Sequence, residues 1–148
     1  FWAVSVAVEI GWFFTQSIWL PKMPLTAWLL LCSAVMVLRM ALTAAWADVL
    51  WVLLLAQILH AITFATHHTV CIALISHHFP GRLRGRGQAL YTIIAYGFPG
   101  VLGALLGGLI SERWGLASVF WVSFLIGILA MAAAFKVWRL QHPRSAGT

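Results

Sequence analysis

Glu9, Arg39, His60, His67 and His68 are the residues of this sequence best placed to do chemistry, because each stands inside a long apolar run. An Arg, Lys or Asp at the centre of a bilayer-spanning helix costs about 2.5–3.5 kcal/mol, so such a group lines a cavity or has a partner. A carboxyl that alternates between apolar surroundings and an arginine neighbour takes up and releases a proton, which is a means of coupling. The competing reading is a Glu9–Arg39 pair that only fixes the register of two helices. The third run is polar on one side. At about 100° per residue, Gln57, His60, Phe64, His67, His68 and Cys71 fall within an arc of roughly 100°. A stripe of amide, imidazole and aromatic groups suits a water-filled, substrate-facing cavity. Interhelical hydrogen bonds, worth about 0.6–2 kcal/mol each, are the alternative. His60 and His68 are two turns apart, and no metal-ligand pattern is expected.

The elements that must position these residues follow from composition. Of 148 residues, 63% are hydrophobic and 8% charged, against about 25% charged in a soluble domain. A spanning helix needs about 20 apolar residues at 1.5 Å rise each. Five runs qualify, approximately 1–20, 26–45, 49–75, 87–110 and 115–138, followed by a tail over 139–148. The expected fold is therefore an all-α membrane protein of five transmembrane helices. The breaks carry turn and charge signals: Pro21-Lys22-Met23-Pro24, Trp46-Ala47-Asp48, Pro80-Gly81-Arg82 and Ser111-Glu112-Arg113. From the rise per residue, Glu9 lies about 13 Å, Arg39 about 8–9 Å and His60 about 16 Å from the outer ends of their helices. The three are expected to be able to meet, with His67 and His68 about 10 Å deeper.

Basic residues orient the chain. Lys22, Arg82, Arg84, Arg86, Lys136, Arg139 and Arg144 fall on one side and Arg113 on the other, with Arg39 inside a span. The positive-inside rule places the first group, and the tail, in the cytoplasm. The net charge of +6 reads as these loops, so no nucleic-acid partner is expected. Cys32 and Cys71 lie in apolar runs and suggest packing rather than disulfides. Phe1 opens directly in apolar sequence, without Met or a basic leader, so an upstream part of the chain is expected. Gly97, Gly100, Gly103 and Gly107 share one face of the fourth span and predict a close helix contact; Pro99 predicts a kink. No phosphate-binding loop, GxSxG elbow or HExxH helix occurs, and an enzyme is not expected.

Taken together these residues resemble the C-terminal half of a major facilitator superfamily transporter, helices eight to twelve of twelve. The segment Gln57-Ile58-Leu59-His60-Ala61-Ile62-Thr63-Phe64, followed by His68, is similar to the tenth helix of 3-phenylpropionic acid permeases. Gln88-Ala89-Leu90-Tyr91, with Gly107-Gly108 and Glu112-Arg113-Trp114-Gly115, is similar to the superfamily's eleventh helix and the loop after it. The related lactose permease implies roles for Glu9, Arg39 and His60 as its membrane acid, arginine and histidine. Its second acid, three residues after the histidine, is Thr63 here, so that coupling scheme does not carry over unchanged.

The resemblance implies secondary transport: proton-coupled symport of a small organic solute such as an aromatic carboxylate. Glu9 and His60 are then assigned to proton coupling, and Arg39, Gln57, Phe64, His67 and His68 to substrate. No cofactor is expected, the proton gradient being the energy source. The expected partners are a small-molecule substrate, the lipid bilayer and the missing N-terminal half of the same chain. The expected location is a bacterial inner membrane, with the C-terminus cytoplasmic. Symport of sugars or nucleosides, or a transport-inactive membrane sensor or assembly partner of the same fold, are the alternatives.

Overall fold

Each apolar run becomes a helix because a backbone among apolar side chains satisfies its N–H and C=O groups within its own segment. The computed structural model describes residues 2–141. Its helices are α1 (Trp2–Trp19), α2 (Leu25–Trp46), α3 (Leu50–His78), α4 (Arg84–Thr92), α5 (Phe98–Trp114) and α6 (Leu116–Gln141). Expectations that fall on Phe1 and on residues 142–148, Arg144 among them, lie outside the described residues. Among the described residues there is no strand, and the all-α reading holds. Among the described residues, four helical stretches are long and apolar enough to cross a membrane: Leu25–Trp46, Leu50–His78, Gly81–Trp114 and Leu116–Gln141. The shorter α1, which carries Glu9 and Gln16 in its 18 residues, packs beside α3 in the same bundle.

The turns follow local chemistry. Pro21 sits in the 3-10 turn Leu20–Lys22, and Pro24 caps the start of α2. Gly115 joins α5 to α6 at φ +82°, a left-handed conformation that glycine adopts without strain. Arg84 and Arg86 are already helical, in α4, so this helix starts before the apolar run that begins at Gly87.

The helices line up in the order α1, α3, α2, α6, with α4 against the end of α3 and α5 returning beside α6. Small residues occupy the interior. Ala56, Ala61, Thr63, Ala65, Thr66 and Val70 are buried on α3, whereas Phe14, Trp51, Leu105 and Leu129 point outward. That distribution is the one expected when lipid rather than water surrounds a bundle and close backbone approach holds it together. Polar bridges stitch α1 to α3: Trp12 Nε1 donates to Thr66 Oγ1 at 2.8 Å, and Thr69 Oγ1 donates to Gln16 Oε1 at 3.2 Å. Trp19 stacks on Trp12 and meets Trp28 edge-on.

Two expectations about the fourth span change. Its glycine series is not a helix contact among the described residues: a Cβ at Gly100 or Gly103 would meet nothing within 4 Å, and one at Gly107 only Val119 at 3.8 Å. α5 buries no residue. Close approaches lie instead at Gly87 of α4, where a Cβ would stand 2.9 Å from Phe79 Cγ and 3.0 Å from Ile75 Cγ2, and at Gly127 of α6, where one would stand 3.1 Å from Val37 Cγ2 and 3.4 Å from Met36 Cε on α2. Pro99 acts through a π-turn, Ile93–Gly97, which joins α4 to α5. Proline lacks an N–H and its ring clashes with the carbonyl four residues back. The wider turn accommodates both defects just before the proline.

Candidate functional site

Arg39 stands on α2 about two-thirds of the way along its length and turns toward α3. There a cavity of about 200 Å³ opens, lined by Cys32, Ser33, Met36 and Arg39 of α2, His60, Thr63, Phe64 and His67 of α3, and Ala130 of α6. Arg39 Nε is buried and has no hydrogen-bond partner. Among the described residues no ion pair joins Arg39 to Glu9. The Glu9 carboxylate instead accepts from Ser5 Oγ at 3.3 Å, one turn back on α1. Both Arg39 and Glu9 lie within electrostatic reach of His60, so the imidazole sits between a cation and an acid that do not touch. Thr63 lines the cavity, but its hydroxyl donates to Leu59 O at 2.7 Å and His60 O at 3.1 Å on its own helix. The cavity wall is thus cationic and carries no carboxylate.

A second cluster forms on the other side of Phe64. His68 is its centre: Phe64 stacks on it at 6.4 Å with an 18° interplanar angle, and Phe13 of α1 meets it edge-on at 6.4 Å. From the π-turn, Tyr96 Oη lies 3.2 Å from His68 Nδ1 and 3.1 Å from Tyr91 Oη. Phe64 touches both groups. Its ring is 5.7 Å from His60 and 6.2 Å from Tyr96, and it remains 37% exposed.

The sequence matches the profile of the MFS_1 like family over residues 1–123. The chain belongs to that family. It is a multi-pass membrane protein of the major facilitator superfamily, and membership points to a transporter rather than an enzyme. No curated protein and no solved structure matches it.

Within this MFS_1 like chain, the residues singled out from the sequence separate into groups. Arg39, His60, Phe64 and His67 share the cavity. His68 belongs to the aromatic cluster, and Phe64 bridges the two. Gln57 is half-buried on α3 and lines neither space. Glu9 stands outside the cavity, near enough to act on His60 through its charge. Sequence reasoning did not single out Ser33 or Met36 as lining residues, nor the linkage of Tyr91 to Tyr96. A helical wheel of the second span, with Cys32, Ser33, Met36 and Arg39 at helical spacing, carried a signal for the first two. Nothing in the sequence signalled the tyrosine pair, because its meeting depends on the π-turn.

Proposed function

We propose that the complete protein is a secondary transporter that carries a small organic anion, an aromatic carboxylate, together with protons. One observation carries the reading: a half-buried arginine whose Nε is buried and unpartnered, in a cavity that offers it no carboxylate. A buried charge left alone is strongly unfavourable, and a ligand carboxylate, able to accept two parallel N–H bonds from arginine, removes that penalty. Phe64 and His60, whose rings lie 5.7 Å apart along one wall at 38° to each other, offer faces to an aromatic ring. The volume is somewhat below the range of about 300–1,000 Å³ typical of ligand pockets, which favours a small solute. Glu9 and His60 are the proposed proton carriers, with Arg39 and His67 holding the carboxylate and Phe64 and His68 the ring side; Gln57, which does not line the cavity in this state, would reach substrate only in another. The described bundle would supply one wall of a site that rocks against a second half of the chain. The tail and the loops bearing Lys22 and Arg82 to Arg86 would face the cytoplasm of a bacterial cell.

Proteoliposomes with the complete chain test this. Labelled 3-phenylpropionate should accumulate when the outside is made acidic. Glu9→Gln, which cannot release a proton, should lose accumulation while retaining binding and exchange. Accumulation by wild type that ignores the pH gradient refutes proton coupling. Wild-type accumulation by Glu9→Gln excludes Glu9 as an obligatory carrier.

A further inference from the structure

A second cavity, of about 430 Å³, opens where the start of α2 meets the ends of α3 and α6. Leu25 and Thr26 line it from α2, Leu74, His77 and His78 from α3, and Gln141 from α6. It shares no residue with the Arg39 cavity. α2 starts here without a side-chain cap. Pro24 O accepts from Ala27 N at 2.9 Å and Trp28 N at 3.2 Å, and among the described residues nothing accepts from the N–H groups of Leu25 and Thr26. Such a helix start carries partial positive charge, and its free N–H groups suit an anion. The Thr26 hydroxyl points to a ligand independently. Thr26 is 2% exposed, and its Oγ1 is buried with no hydrogen-bond partner. Thr15, Thr43, Thr63, Thr66 and Thr92 each donate to a carbonyl three or four residues back. Thr26 stands in the first turn of its helix and has no helical carbonyl behind it. A buried hydroxyl without an acceptor is unfavourable, and threonine in a helix divides between two χ1 rotamers, so the hydroxyl can turn to an acceptor that enters the cavity.

The imidazoles supply charge to the same space. His78 Nδ1 lies 2.8 Å from Leu74 O. A carbonyl only accepts, so Nδ1 donates and Nε2 carries a proton only when the ring is an imidazolium. The end of α3 favours that cation, while the start of α2 favours an anion. His77 stands edge-on to His78, with ring centroids 5.2 Å apart, and Gln141 adds an amide donor. Two of the carbonyls that would repel an anion at the end of α3 are already paired: Leu74 O with His78, and Ile75 O with Phe79 N at 2.8 Å. His77 and His78 are the titratable groups of the lining, which holds no Asp or Glu.

We propose that this cavity binds a phosphate group, whose oxygens accept from the N–H groups of Leu25 and Thr26, from Thr26 Oγ1, from the His78 imidazolium and from the Gln141 amide. The donors come from three helices and approach from different directions, which matches tetrahedrally arranged oxygens better than a planar carboxylate. The phosphate and the second proton on His78 favour each other. The apolar run of α3 ends near Ile75, Lys22 stands just before α2, and Arg82, Arg84 and Arg86 follow α3. The cavity therefore lies at the edge of the apolar layer, among basic residues, where the phosphates of anionic lipids are found. An anionic phospholipid headgroup and free phosphate are the two sources of this chemistry. The site is independent of the transport reading of the Arg39 cavity.

The test uses the complete protein purified in neutral detergent, in mildly acidic buffer. Its probes are phosphatidylglycerol, inorganic phosphate and, as the phosphate-free control, diacylglycerol with the same acyl chains. Phosphatidylglycerol or inorganic phosphate should bind saturably, and the lipid more tightly than diacylglycerol. Binding of the lipid that inorganic phosphate does not displace assigns the site to a headgroup; displacement assigns it to free phosphate. Thr26→Val keeps the shape of the side chain and removes the hydroxyl, and His78→Gln removes the imidazolium. Each should weaken binding by about 10-fold or more, the loss expected for one hydrogen bond to a charged group. Without ligand, Thr26→Val should melt at or above the wild-type temperature, because the hydroxyl it removes has no partner. Phosphatidylglycerol bound no more tightly than diacylglycerol, together with no binding of inorganic phosphate, overturns the proposal. So does wild-type binding by both variants, or an unliganded Thr26→Val protein that melts well below wild type.

Discussion

Replacing Arg39 by methionine separates a ligand-binding arginine from a structural one. The substitution keeps most of the side chain's length and removes the charge. If Arg39 held a protein carboxylate, breaking that buried pair would cost about 3–5 kcal/mol of stability. Its Nε has no partner and the cavity holds no acid, so the unliganded Arg39→Met protein should melt at or above the wild-type temperature. The loss should appear in binding. A hydrogen bond to a charged group contributes about 1.5–3 kcal/mol, which at about 1.4 kcal/mol per decade is roughly a 10- to 150-fold rise in Kd. That rise applies to 3-phenylpropionate; its neutral amide should lose much less. Equilibrium binding of both compounds to purified complete protein, with melting measured before ligand is added, reads both quantities. Equal weakening of acid and amide, or a melting point well below wild type, would refute the reasoning and make Arg39 a packing residue.

Gly127→Leu should destabilise the bundle by about 1–3 kcal/mol, read as lower melting and lower yield in the membrane. Its Cβ falls 3.1 Å from Val37 Cγ2, and the added side chain must displace its neighbours in a contact that is already close. Wild-type melting would show that α2 and α6 separate easily. Topology is tested by thiol labelling: Arg84→Cys and Gln141→Cys should react from the cytoplasm, and Glu112→Cys from outside. Reaction of Arg84→Cys and Glu112→Cys from one side would overturn the proposed orientation.

The helices were legible because apolar length is a blunt signal. The runs read as 26–45 and 115–138 became Leu25–Trp46 and Leu116–Gln141. The helix of the third run extends beyond the apolar stretch. Hydropathy stops near Ile75, whereas the backbone continues as helix through His77 and His78, since a helix does not require apolar side chains once it leaves lipid. The site was legible in its members and not in its partition. An arc of 100° on α3 was read as one stripe facing one space. A helix with neighbours on both sides can divide such an arc, and here Phe64 stands at the divide, leaving His67 and His68 in different surroundings. The missed packing glycine has a similar cause. Gly127 stands alone among large apolar residues and offers no repeat, whereas the regular series in α5 attracted attention without making a contact among the described residues.

The π-turn at Ile93–Gly97 also alters how the longest helical stretch should be numbered in the mind. An extra residue in one turn advances every later side chain by about 100° around the axis. Residues 84–92 and 98–114 are therefore two combs with the same tooth spacing, set out of register by one tooth. Probed position by position for solvent or lipid, the stretch would give a clean rhythm, a slip near Tyr96, and the same rhythm resumed in a new phase. Gly100, Gly103 and Gly107 all lie beyond the slip. They look where the second comb looks, and a wheel drawn from Arg84 would point them the wrong way.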